Sequence, residues 1–156
     1  MLVNTKRPVR LPELASAAVS GRNLDRWLGD GGMPLIADLG ASFTGYGEGW
    51  AEAEWEPTAV CCNPGGTVQA GVQSVLLDAA MNFALLAALS PGERGATLEM
   101  KVSTMRPARG GDRLTVRGEV IRLGTGVAYL QAFARSGDDV VSHATATFVV
   151  LRPPPA

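Results

Sequence analysis

Apolar residues fill nearly every position from about Ala70 to Leu89, and beyond that run they recur at every second position over several shorter stretches. The continuous run is too long for a strand and lacks the gaps of a surface helix, so it predicts one long helix buried at the centre of the fold. Ser90-Pro91-Gly92 ends it. Period-two alternation then predicts strands at about Ala96–Thr104, Arg113–Leu123, Val127–Arg135 and Val140–Leu151. The turns between the last three, Gly124-Thr125-Gly126 and Ser136-Gly137-Asp138-Asp139, are short enough to require antiparallel neighbours. Ahead of the helix, Trp50, Ala51, Ala53 and Trp55 set against Glu52, Glu54 and Glu56 read as a half-buried strand. Ile36–Tyr46 reads as its strand-like partner, broken off at Gly45, Gly47 and Gly49. Leu11–Ser20 and Leu24–Leu28 read as short helices, the second capped by Asn23 and stopped by Gly29, Gly31, Gly32 and Pro34. The pattern predicts an α+β domain in which a curved antiparallel sheet wraps one long central helix. Residues 1–34 are assigned to an N-terminal arm with short helices, 35–151 to the domain, and 152–156 to a disordered tail.

Composition narrows the picture without redirecting it. With 156 residues, 46% of them hydrophobic, and a formal net charge of −1, the chain suits a single domain with a substantial core. That charge balance argues against nucleic acid as the main ligand. Lys6, Arg7 and Arg10 are followed by no apolar run of signal-peptide length, and Asp78 and Asn82 interrupt the one stretch of membrane length. A cytoplasmic protein without membrane contact is therefore expected. Cys61 and Cys62 are adjacent, which fits no zinc motif and disfavours a disulfide between them; they are read as small thiols at a strand end. His143 is the only histidine and lies in a strand pattern, so neither a protein-built metal site nor a Ser-His-Asp triad is expected.

One acid stands out. Asp78 lies in mid-helix among Leu76, Leu77, Ala79, Ala80 and Met81, and with Gly71, Ser74 and Asn82 it falls on a single polar line down the helix. A carboxylate there is desolvated at a cost of several kcal/mol unless it faces a cavity, a partner or another subunit. The competing reading is a structural acid held by Ser74, Asn82 or a neighbouring subunit. Asn63-Pro64-Gly65-Gly66 is a turn sequence leading into the helix, whose first-turn amides, about residues 69 to 72, point beyond its end and favour negative charge. The glycines at 65, 66 and 71 fit no dinucleotide or phosphate loop, so the helix start reads as a site for a carbonyl or a developing oxyanion.

These residues resemble the hotdog-fold acyl-CoA thioesterases of the phenylacetate-degradation type, a family that also includes hydroxybenzoyl-CoA thioesterases. The family pattern Asn-x-x-Gly-x-x-His-Gly-Gly, with an acid nine residues after the histidine, is matched in spacing by Asn63, Gly66, Gln69, Ala70, Gly71 and Asp78. Gln69 stands for the histidine and Ala70 for the first glycine. The likeness covers about residues 35 to 150 and includes Thr97-Leu98-Glu99-Met100-Lys101-Val102 and Arg106-Pro107-Ala108 after the helix. The resemblance implies a hotdog fold and a homodimer or dimer of dimers, with the asparagine and helix-start amides of one subunit facing the carboxylate of the other. It implies hydrolysis of an acyl-CoA or similar thioester, with coenzyme A entering only as part of the substrate and no other cofactor. Asp78 is then the general base or nucleophile, Ala70 and Gly71 supply amide donors, and Asn63 orients the thioester or water. Thr97, where some relatives carry serine, steadies that water, and Gln69, Gly66, Ser74 and Asn82 line the substrate site. Arg106, Arg109 and Arg122 are weighed as contacts to CoA phosphates against ordinary solvated arginines. Two alternatives remain: a non-catalytic acyl-CoA or small-ligand binding protein of the same fold, and hydration or dehydration of acyl thioesters, which usually pairs the acid with a histidine.

Overall fold

The computed structural model describes residues 22–156. A single 3-10 turn at Asp25–Trp27 precedes a short helix α1 (Pro34–Asp38) and the hairpin β1 (Ala41–Gly47) and β2 (Trp50–Trp55). A second 3-10 turn at Ala59–Cys61 leads to the long helix α2 (Ala70–Ala88), followed by β3 (Arg94–Thr104), β4 (Leu114–Leu123), β5 (Val127–Ser136) and β6 (Asp139–Leu151). All six strands join one antiparallel sheet in the order β1-β2-β4-β5-β6-β3. The chain therefore leaves the sheet after β2, crosses its face as α2, and re-enters at the far edge as β3. This is the hotdog arrangement the pattern and the resemblance predict.

Leu76, Leu77, Ala80, Met81, Ala84 and Leu85 of α2 are buried against the inward residues of the sheet. Full burial of each leucine or methionine contributes about 1.5 to 3 kcal/mol. The seat is made of small residues: Ala132 and Ala134 on β5, Ala144 and Ala146 on β6, and Gly118 on β4. At Gly118 a β-carbon would run into the carbonyl of Ala80, so the helix backbone rests directly on the strand. Although α2 is long and apolar enough by composition to cross a membrane, it is here the core of the domain.

Four expectations change. Residues 36–38, read as strand, belong to α1, because Pro34 occupies the first helical turn where its missing N–H costs nothing, and Gly40 at φ 88° turns the chain into β1. The helix expected at Leu24–Leu28 shortens to the 3-10 turn, with Asn23 Oδ1 accepting from the Asp25 amide at 2.8 Å. Cys61 closes a 3-10 turn rather than a strand and is buried, with its thiol donating to the Leu39 carbonyl at 3.3 Å. The sequence suggests that Trp50 and Trp55 lie in a strand near a sheet edge and mark association with a second copy; the fold instead sets β2 between β1 and β4, with both residues 1% exposed. Trp50 is covered by the Arg117 guanidinium, 4.1 Å from its ring centre and itself held by Glu119 and Glu52 at 2.8 and 3.3 Å.

The predicted helix at Leu11–Ser20 lies outside the described residues. Within the arm, Leu24 enters the core and its amide donates to the Tyr46 hydroxyl, which donates in turn to Asp25 at 2.6 Å. In the tail, Arg152 pairs with Glu93 at 2.7 Å.

Candidate active site

The loop before α2 is fixed from both sides. Asn63 Oδ1 accepts from the amides of Gly65 and Thr67 at 3.0 and 3.2 Å, and Gly66, at φ 79°, completes the turn by donating to the Asn63 carbonyl at 2.9 Å. The Asn63 carbonyl oxygen thus belongs to its own loop, and the side chain's amide NH2 is the part that remains to meet a ligand. Val68 donates to the Ala108 carbonyl at 2.8 Å and Gln69 to the Cys61 carbonyl at 3.0 Å.

These bonds divide the first-turn amides. Gln69 N–H is spent on Cys61, and Val72 N–H bends back to the Gln69 carbonyl at 3.1 Å, so two of the four amides expected to be open are taken inside the chain. Those of Ala70 and Gly71 have no partner among the described residues, and both residues are exposed. Two adjacent N–H groups at the positive end of a 19-residue helix are thus presented together. Gln69 is exposed and its side chain makes no capping bond.

Two turns further on, Asp78 is partly exposed, and its Oδ1 accepts the hydroxyl proton of Thr97 at 2.7 Å. Thr97 lies at an irregularity: Thr97 pairs with Phe148 and Glu99 with Thr147, so Leu98 is the extra residue of a β-bulge. Bulges re-aim side chains, and this one sits where β3 passes the acid. Asp78 Oδ2 accepts from no described residue. Of the partners that the structural alternative for Asp78 names, Ser74 and Asn82 do not hold it within the chain. The Ser74 hydroxyl donates to the Ala70 carbonyl at 3.0 Å, while Asn82 borders a cavity of about 40 Å³ with Trp27, Met33, Phe43 and Phe83.

The structure thus joins Asp78 to Thr97, and Asn63 and Gly66 to the helix start, but it separates the two groups. Eight residues of helix put Asp78 about 12 Å along the axis from Ala70. Within one chain, that spacing leaves no direct contact of both donors and carboxylate with one carbonyl group.

One residue escaped the sequence reading. Gln73 is 3% exposed with its Oε1 unbonded, and it lines a cleft of about 290 Å³ beside Ala70, Thr67 and Thr104–Pro107. Its signal was a polar amide on the line of Leu77, Ala80 and Ala84, which faces the core. A larger hollow of about 520 Å³, bordered by Ser42, Glu54, Arg113 and Thr115, holds none of the candidate residues. His143 stays out of the site. Its ring stacks on Phe133 at 4.4 Å, and burial, then Arg135 and Lys101, push its pKa below the ordinary value. Among the described residues no cluster of His, Cys, Asp and Glu is arranged to hold a metal.

Comparison with known proteins bears on the family and the fold. The profile of the thioesterase superfamily matches residues 65–147, which include the helix start, Asp78 and Thr97. The Pseudomonas aeruginosa protein PA0474, whose name makes it a candidate esterase, is 32% identical over 87 residues, covering 56% of this chain and 65% of its own length. The chain thus matches less than two thirds of that relative. A phenylacetic acid degradation-related protein of Ralstonia eutropha superposes with a TM-score of 0.69 at 28% identity, covering 74% of this chain and 89% of its own. The thioesterase HI1161 of Haemophilus influenzae gives a TM-score of 0.77 over 91% of this chain and 96% of its own, and at 21% identity it bears on the fold.

Proposed function

The chain belongs to the thioesterase superfamily, and from that premise we propose that it hydrolyses an acyl-CoA or similar acyl thioester to the free acid and thiol. The observation that carries this reading is the pair of unbonded, exposed amides of Ala70 and Gly71 at the start of α2. A thioester oxygen placed there accepts both hydrogens and gains from the helix dipole, and the same donors hold the oxyanion that forms on attack.

Attack needs a base, and Asp78 supplies it from a second copy of the chain. The roughly 12 Å of helix between Ala70 and Asp78 favours a pairing across two subunits over direct contact within one. A twofold mate whose helix runs antiparallel brings the partner's carboxylate up to the amides. β3 offers the means of association, since among the described residues it pairs with β6 alone and no other strand lines its outer edge, where Leu98 is 59% exposed. Thr97 holds Asp78 Oδ1 and leaves Oδ2 for water. Asp78 takes a proton from that water as its oxygen bonds to the acyl carbon. Collapse of the tetrahedral adduct then breaks the C–S bond, and the departing thiolate takes the proton back. The NH2 of Asn63 and the side chain of Gln69 flank the entry and orient the thioester; Gly66 and Ser74 shape the loop and the first turn that carry the donors. The scheme uses water and the protein's own groups.

A thiol-release assay over short, long and aromatic acyl-CoAs tests the reading. Turnover of at least one class is expected, with Asp78→Asn remaining folded and losing on the order of a hundredfold or more. Binding of acyl-CoA without thiol release would give the chain to the binding-protein alternative.

A further inference from the structure

Gln73 is one of two buried polar side chains among the described residues, and its Oε1 is both inaccessible and without a hydrogen-bond partner. A core-facing helix position gains nothing from such a group: an orphaned carbonyl oxygen weakens the fold, and an apolar side chain of the same length would fill the space without penalty. Its surroundings supply a reason for it to be there. Side chains on a helix lean toward its N-terminus, so the amide of Gln73 lies under the first turn, on the wall of the 290 Å³ cleft that also includes Ala70, Thr67, Thr104 and Arg106. The cleft therefore has the open amide of Ala70 at one point and an unsatisfied carboxamide one turn away.

A carboxamide complements a secondary amide: its oxygen accepts the N–H and its NH2 donates to the C=O. Thiols that carry acyl groups as pantetheine thioesters have such an amide four bonds from the acyl carbon, through sulfur and two methylenes. Resting on the thioesterase reading, we infer that Gln73, once its carboxamide turns to bring the buried Oε1 into the cleft, binds the first amide of a pantetheine-type thiol while the Ala70 and Gly71 amides hold the thioester carbonyl. Gln73 is then a substrate-binding residue that selects the thiol half of the substrate, independently of the acyl group. Coenzyme A and the phosphopantetheine of a carrier protein share this chemistry, and Arg106 at the cleft wall, 3.5 Å from Asp139, is compatible with either.

The test compares wild type with Gln73→Met, which keeps length and removes both amide groups, and with Gln73→Leu as a second apolar variant. Substrates are the S-acyl-N-acetylcysteamine ester, which has the amide, and the S-acyl-butanethiol ester, which lacks it. Acyl-CoA and acyl carrier protein arms tell the two carriers apart. Both variants are expected to raise KM about tenfold or more for every amide-bearing thioester that wild type turns over, and to change the butanethiol ester by less than about twofold. Their melting temperature should hold or rise, and their mass by light scattering should not change. Equal effects on both esters, no effect on either, a lower melting temperature, or an altered mass would each overturn the assignment, the last two by showing that Gln73 serves the fold or a subunit contact. Calorimetric titration with free pantetheine separates this inference from the hydrolytic reading. If wild type hydrolyses nothing but binds pantetheine about tenfold more tightly than Gln73→Met, the hydrolytic reading falls and Gln73 stands. If wild type hydrolyses nothing and binds pantetheine no better than the variant, both fall.

Discussion

At the scale of single residues, the bond from Thr97 to Asp78 separates two roles that a strand threonine could have. As a β-former alone, Thr97 could become valine with little effect. As the donor to Asp78 Oδ1 at 2.7 Å, it fixes the carboxylate and leaves Oδ2 to work on water. Thr97→Val is expected to lower kcat by about tenfold with KM little changed, and Thr97→Ser to recover most of it; steady-state kinetics on one acyl-CoA decides. His143 gives a second prediction, about stability. Burial in the stack on Phe133, then Arg135 and Lys101, lower its pKa in the fold below the ordinary value of about 6.5. Between that lowered value and about 6.5 the unfolded chain binds more protons than the folded one, so stability falls as pH drops through this window and levels below it. Urea midpoints measured from pH 7.5 to 5 should show the fall, and His143→Gln should remove that part of it. Glu93 acts in a lower window, since the Ser90 amide and then Arg152 hold its pKa below the usual carboxylate range; its contribution is present above about pH 4.3 and is lost as pH falls through the lowered value.

Among the elements, the contact between α2 and β4 leaves no room for a side chain. A β-carbon at Gly118 would meet the backbone of Ala80 and Met81, which cannot swing aside as a side chain can. Gly118→Ala should therefore lift the helix from the sheet and destabilise the protein by about 1 to 3 kcal/mol, the range for overpacked cores, despite alanine's better strand propensity; chemical denaturation measures it. This constraint cannot be read along the chain, because a strand glycine looks the same over a helix or over solvent. The elements themselves were largely legible. α2 declared itself by apolar residues on nearly every side, and β4 to β6 by alternation between glycine turns. α1 was not legible, since Pro34-Leu35-Ile36-Ala37-Asp38 is too short for a helical period to show and too apolar to look like a turn. The site divides in the same way. Asp78 was visible as an acid out of place, while Thr97 and Asn63 took their meaning from the family likeness, because a strand threonine and a turn asparagine are ordinary residues. Gln73 was passed over because only the packed fold shows which line of α2 faces inward.

For the whole molecule, the question is whether one chain or two make a site, and the start of α2 allows it to be answered without disturbing any interface. Ala70 is the first residue of the helix, the position where proline is best tolerated, and Gln69 before it has φ −64° and ψ 141°, the extended conformation that a residue ahead of proline prefers. Ala70→Pro thus deletes a proposed oxyanion donor and leaves the helix intact. Loss of such a donor costs about a hundredfold or more in kcat, with unchanged circular dichroism and melting temperature expected here. Asp78→Asn deletes the base in the same way, so each variant alone should be nearly inactive. When the two are unfolded, mixed in equal amounts and refolded, half the dimers contain one chain of each kind. In such a dimer one site combines the proline with the asparagine and is dead. The other combines the intact amides of the Asp78→Asn chain with the intact carboxylate of the Ala70→Pro chain. Recovery of about a quarter of wild-type activity is therefore expected, one working site in half of the dimers. If each chain held a complete site, mixing would restore nothing, and the 12 Å between Ala70 and Asp78 would have to be spanned by a water chain or a longer-reaching group in place of a second subunit.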